Sequence, residues 1–167
     1  LGVDLVKSQL AVAAGASLAS LGLSQSDVPA PRGFAMQLRI NMEVMDEQGA
    51  TRPTGGTFGV FDPPSGPGVR VDTFGYAGYK TSAAFDSLLA KVIVHSSAAS
   101  WPDVVQKAAR ALREFRIAGV DTNIPFIQAV LAHPDFVSNR ISTGFIDTHV
   151  AALVGSSMSR PSRFRST

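Results

Sequence analysis

Arg39 is the cation best placed to do chemistry in this chain. It stands in a run where Phe34, Met36, Leu38, Ile40 and Met42 alternate strictly with Ala35, Gln37, Arg39, Asn41 and Glu43. That alternation predicts a strand over 34–43 with one face on a core and the other toward polar surroundings. A guanidinium in mid-strand is a permanent cation on a rigid element, suited to holding a developing anion. Gln37 and Asn41, each roughly 7 Å along the strand, are placed to support it, whereas Glu43, roughly 13 Å away in a flat strand, is not. The same pattern also describes a solvated sheet face with Arg39 as ordinary decoration, and alternation alone does not choose between them.

Other chemistries are poorly supplied. There is no cysteine, which excludes a disulfide framework, a thiolate metal site and a cysteine nucleophile. His95, His133 and His149 show no metal-ligand spacing, and no metal is assigned. The glycines at 55, 56, 66, 68, 75 and 78 form no phosphate-loop pattern and are read as turns. The formal charge of +2 and pI near 9.3 could suggest nucleic acid. Three positive charges, Arg160, Arg163 and Arg165, lie in an acid-free tail, which leaves −1 on residues 1–154. The folded part carries no basic stripe, so nucleic acid is not expected as a partner. No apolar run reaches membrane-spanning length, and no membrane partner is expected. The chain opens at Leu1 without a charged-then-apolar leader, and we read it as a piece of something longer.

The elements that must hold Arg39 can be read from local signals. Asp4–Ala14 predicts a helix ended by Gly15, with a short turn over 18–23 and a connection to Arg32. After the 34–43 strand come an acidic loop at Asp46-Glu47 and a strand over 57–61. A tight turn at Pro63–Gly68 leads into Val69–Asp72 as the return strand of a hairpin, and Leu88–His95 is a further strand. Ser100 as N-cap, Pro102 in the first turn and the stripe Val104, Ala108, Ala111, Leu112 and Phe115 mark the clearest helix. Helices over 122–131 and 145–154 follow. The Ser- and Arg-rich end is read as a linker or frayed terminus. Strands gathered early and helices late predict an α+β fold, a mostly antiparallel sheet with helices packed on one side.

Arg32-Gly33-Phe34-Ala35 followed by Leu38-Arg39-Ile40-Asn41-Met42-Glu43 resembles the Arg-Gly-His-Ala-x-x-x-Arg-Ile-Asn-Ala-Glu segment of the biotin carboxylase family. The likeness continues in order through Pro63–Asp72, Tyr76–Tyr79, Phe85–Lys91, Gly119–Phe126, His133–Phe136 and Thr143–Ile146, covering roughly residues 2 to 153. The resemblance implies the C-terminal subdomain of an ATP-grasp carboxylase. Residues 1–27 would be the terminal helix of the ATP-binding half, 28–154 the C-terminal domain and 155–167 the tail.

In that family ATP and bicarbonate yield carboxyphosphate, whose CO₂ passes to the ureido nitrogen of biotin. The resemblance makes Arg39 the arginine facing the ureido oxygen as negative charge develops there. It makes Asp86 the aspartate that orients the guanidinium through charge-assisted hydrogen bonds, although Asp86 could equally be a turn residue opening a strand. The two side chains are expected within hydrogen-bonding reach, or within one water of it. Glu43 is expected to be structural. Arg70 would lie at a dimer contact. The chain departs from the family at Val44, Pro67 and Ala84-Phe85.

By the same resemblance the parent enzyme uses biotin on a carrier domain, ATP and Mg. Its partners are the ATP-grasp half, the biotin carboxyl carrier domain and the carboxyltransferase domain. The parent would be an acyl-CoA, pyruvate or urea carboxylase, cytoplasmic or, in a eukaryote, in the mitochondrial matrix. The family's nucleotide, metal and general-base residues lie upstream of Gly2, so the fragment alone is expected to bind none of these cofactors and to be inactive. The alternative is a non-catalytic structural or dimerisation module of a multidomain carboxylase.

Overall fold

The computed structural model describes residues 2–82, 86–98 and 100–158, and the chain divides into two compact units, Leu1–Gly33 and Phe34–Thr167. In the first, the Asp4 carboxylate accepts the Lys7 N–H at 2.9 Å and starts helix α1 (Leu5–Ala13). Gly15, at φ +96°, lets the chain turn out of the helix. A 3-10 turn at Ala19–Leu21 follows. Leu5, Val6 and Leu10 are exposed, and α1 buries none of its residues.

The second unit begins with strands β1 (Phe34–Asn41), β2 (Glu43–Met45), β3 (Thr51–Pro53), β4 (Val60–Asp62), β5 (Val69–Thr73) and β6 (Leu88–Ser96). Helix α2 (Trp101–Glu114), strand β7 (Arg116–Ala118) and helices α3 (Ile124–Ala132), α4 (Pro134–Val137) and α5 (Phe145–Met158) complete it. The main sheet is antiparallel in the order β1-β6-β5, with two-stranded sheets β2-β3 and β4-β7 beside it. The α+β expectation therefore holds.

The alternation in β1 works as anticipated: Leu38 and Ile40 are buried, while Ala35, Gln37 and Arg39 are exposed. Leu89, Ala90, Val92 and Val94 of β6 are buried with them. Helix α2 closes the core from one side through Val104, Val105, Ala108, Ala111 and Leu112. Each fully buried Val, Leu or Ile contributes about 1.5–3 kcal/mol, so the inner face anchors a rigid outer face that carries Arg39. Ser100 occupies the N-cap position in extended backbone, yet its hydroxyl makes no capping hydrogen bond.

Several expectations need correction. The first strand ends at Asn41, where the β1–β6 register shifts between Ile40 and Asn41, and Glu43 opens β2 in a different sheet. The 57–61 strand is β4, shifted to Val60–Asp62; Thr57 makes only an isolated bridge to Lys80. Val69–Thr73 is not the return strand of a hairpin: β5 pairs with β6, and β4 pairs with β7. The reason is burial. A strand as apolar as β6 is most stable with a neighbour on each edge and a helix over one face. Strands β3 and β7, three residues each, are shorter than any readable period. Pro134 does interrupt α3, but it also starts α4. The last helix continues past Val154 to Met158. Of the expected tail, residues 159–167 lie outside the described residues, as does the Ala84-Phe85 departure.

Candidate active-site wall around Arg39

Antiparallel pairing of β1 with β6 sets Asn41 opposite Leu88, which brings the residues entering β6 alongside the end of β1. Arg39 Nη2 donates to Asp86 Oδ2 at 2.8 Å across 47 positions of sequence, as expected. The pair is exposed, with half of the Arg39 side chain and more of Asp86 open to solvent. Asp86 is itself held, since its Oδ1 accepts the Leu88 N–H at 3.1 Å. Asp86 thus contacts Arg39 through one oxygen and the backbone entering β6 through the other.

The guanidinium has a second anchor: Arg39 Nε donates to Asn41 Oδ1 at 3.3 Å. Asn41 Nδ2 donates in turn to Glu43 Oε1 at 3.0 Å, and Ser87 Oγ donates to Glu43 Oε2 at 3.1 Å. The break at Met42 brings Glu43 back toward Asn41, so flat-strand spacing does not apply. Glu43 supports Arg39 indirectly, through one amide. Gln37 shares the outer face, but among the described residues it makes no hydrogen bond to Arg39. That expectation is corrected: the guanidinium is held from the Asn41 side. Nη1 donates no hydrogen bond to any described residue, so one edge of the fork remains available to an acceptor.

Across the sheet Arg39 is opposite Lys91, and Lys91 is opposite Asp72. Arg70 grips Asp72 with two hydrogen bonds of 2.8 Å. Those bonds hold the Asp72 carboxyl below the usual range and raise Arg70 above its ordinary value. Arg70 therefore lies in a sheet strand, exposed and tied within that strand.

Two groupings were not legible in sequence. Asn123, at the N-cap of α3, makes no capping hydrogen bond. Instead its side chain reaches β1: Oδ1 accepts the Asn41 N–H at 2.9 Å and Nδ2 donates to the Arg39 carbonyl at 3.2 Å. Its position resembles an ordinary cap, which hides this in sequence. The second grouping is His133, Asp135 and His149, whose ligand-capable atoms lie within 4.8 Å of one another. His133 Nδ1 accepts the Asp135 N–H at 3.2 Å, and Arg140 binds Asp135 at 2.6 Å. The Arg140 bond lowers the Asp135 carboxyl, and both imidazoles pack against Phe145. A metal ion would have to displace that cap and compete with a guanidinium for the carboxylate.

Known proteins resemble this chain in both sequence and fold. The family profile described as "Biotin carboxylase C-terminal domain" matches residues 37–148. Pyruvate carboxylase of Aspergillus terreus is 43% identical over 158 residues, covering 93% of this chain but only 13% of that protein. Among solved structures, the biotin carboxylase domain of a single-chain bacterial carboxylase superposes with a TM-score of 0.78 at 45% identity, covering 94% of this chain and 35% of that one. The biotin carboxylase domain dimer of the Hydrogenobacter thermophilus 2-oxoglutarate carboxylase, in complex with MgADP, ADP and bicarbonate, superposes with a TM-score of 0.75 at 33% identity. It is covered over 32% of its length, against 91% of this chain. The chain thus spans a minor part of the proteins it matches. With the profile match, the identities and the superposed fold in agreement, the chain belongs to the biotin carboxylase C-terminal domain family.

Proposed function

We propose that this chain is the C-terminal part of a biotin carboxylase that carboxylates biotin with ATP and bicarbonate, and that Arg39 stabilises negative charge on the biotin ureido oxygen. The observation that carries this reading is the state of the Arg39 guanidinium. Two of its nitrogens are held, by Asp86 and Asn41, while Nη1 is left without a partner among the described residues. A cation fixed before the reaction needs no reorganisation when charge develops, which is the condition for oxyanion stabilisation. Arginine suits the task because it stays charged at every working pH and its planar fork can be held on one side while it donates from the other. Biotin would supply the nucleophilic ureido nitrogen. Asp86 keeps the guanidinium from swinging into solvent, and Asn41 with Glu43 and Ser87 sets its tilt. ATP and Mg would be held by the rest of the parent protein, as would the general base. On this reading Arg70, exposed and tied to Asp72, faces a second subunit.

The experiment is Asp86→Ala in the full-length carboxylase. An exposed pair of this kind contributes about 0.2–1 kcal/mol to stability, so the melting temperature should barely move. Biotin-dependent turnover should fall about tenfold, the loss typical when an outer supporting partner is removed, while the KM for ATP stays the same. Unchanged biotin-dependent turnover would show that Asp86 does not serve Arg39.

A further inference from the structure

Strand β1 is at the edge of its sheet, with β6 on one side only. An edge leaves a row of backbone N–H and C=O groups without ladder partners. Residues 39 and 41 direct these groups to the same outer edge, because alternate residues of a strand do so. The site is irregular on its inner edge too, since the register to β6 shifts between Ile40 and Asn41. Bulged backbone of this sort re-aims side chains and has fewer ladder bonds to hold it.

Asn123 supplies the missing bonds. Its Oδ1 accepts the Asn41 N–H, its Nδ2 donates to the Arg39 carbonyl, and its own backbone N–H donates to the Asn41 carbonyl at 3.1 Å. The orientation of the amide follows from its partners: an N–H can face only an acceptor, and a carbonyl only a donor. The carboxamide therefore substitutes for a peptide group of a neighbouring strand, spanning the two residues that carry the guanidinium and its Asn41 anchor. The next residue, Ile124, is buried, which fixes the start of α3.

Building on the assignment of Arg39 above, we infer that Asn123 is a positioning residue: it locks the edge of β1 so that Arg39 and Asn41 present the guanidinium at one angle. Asparagine is required chemically. Aspartate keeps the acceptor for Asn41 but sets a carboxylate oxygen against the Arg39 carbonyl, and glutamine is one methylene too long.

The test is a double-mutant cycle in the full-length carboxylase, with Asn123→Ala, the near-isosteric Asn123→Asp, Arg39→Ala and the combinations. A displacement of the order of an ångström can cost about 10²-fold. Each Asn123 variant should lower kcat for biotin carboxylation by about ten- to a hundredfold on that basis, and leave bicarbonate-dependent ATP cleavage without biotin unchanged. On the Arg39→Ala background the Asn123 substitutions should cost nothing further. Losses that multiply instead would mean that Asn123 does not act through Arg39, and the inference would fall. Amide exchange separates this from failure of the Arg39 assignment. If Arg39→Ala itself had normal turnover, that assignment would fail. The bracing of β1 would still be decided by the Asn41 N–H, which should exchange slowly in the native protein and fast in Asn123→Ala, the variant that removes its acceptor. Equal exchange rates would refute it.

Discussion

Replacing Arg39 by alanine in the full-length carboxylase should lower biotin carboxylation by about 10²–10³, the usual consequence of removing one preorganised oxyanion donor. Stability should change little. The side chain is 52% exposed, and an exposed ion pair contributes only about 0.2–1 kcal/mol. The substitution also frees Asp86 and Asn41, but both are near solvent and can be rehydrated. Thermal unfolding and biotin-dependent turnover should therefore separate cleanly on one preparation. Bicarbonate-dependent ATP cleavage in the absence of biotin provides the internal control, because Arg39 is assigned to biotin rather than to the nucleotide. If turnover with biotin were normal, Arg39 would return to the status of a solvated sheet-face residue.

The 167-residue chain alone should show no bicarbonate-dependent ATP cleavage, with or without free biotin. The family resemblance puts the residues that hold nucleotide and Mg upstream of Gly2. The outer sheet face instead presents Arg39, Lys91 and Asp72 in one cross-strand row. Such a surface can bind and orient charge. The core of the second unit is continuous from β1 through β6 to α2, so loss of activity should not reflect loss of structure. Circular dichroism on the same sample would establish that. Measurable turnover by the isolated chain would overturn the assignment of nucleotide chemistry to other parts of the protein.

What could be read from sequence followed the strength of local periodicity. Strand β1 was legible because its alternation persists over many residues, and α2 because a proline in the first turn and an apolar stripe agree. The Arg39–Asp86 contact was anticipated from the family resemblance, and it requires β1 and β6 to pair. Pairing itself was less legible. Val69–Thr73 follows a turn after β4 and looks like a hairpin return, yet it joins β6, whose burial is a property of the whole core. Strand β7 borrows its identity from β4 and has no period of its own. Asn123 is hidden in sequence for a related reason: asparagine at a helix start reads as a cap, and only tertiary structure shows its amide committed to β1. Gln37 and Asn41 are equivalent neighbours of Arg39 in a flat strand, and the turn of the chain at Met42 breaks that symmetry by bringing Glu43 in behind Asn41. Nothing in their spacing relates His133 to His149, yet the fold places both rings on Phe145.

Where the Arg39 guanidinium points in the working enzyme is decided by a crystal structure of the full-length carboxylase with biotin and bicarbonate bound. An Arg39 nitrogen should lie about 2.7–3.2 Å from the ureido oxygen, the range of a formed hydrogen bond, with Asp86 and Asn41 still holding the other nitrogens. A ureido oxygen lying beyond the reach of a hydrogen bond from Arg39, or bound by a different cation, would contradict it.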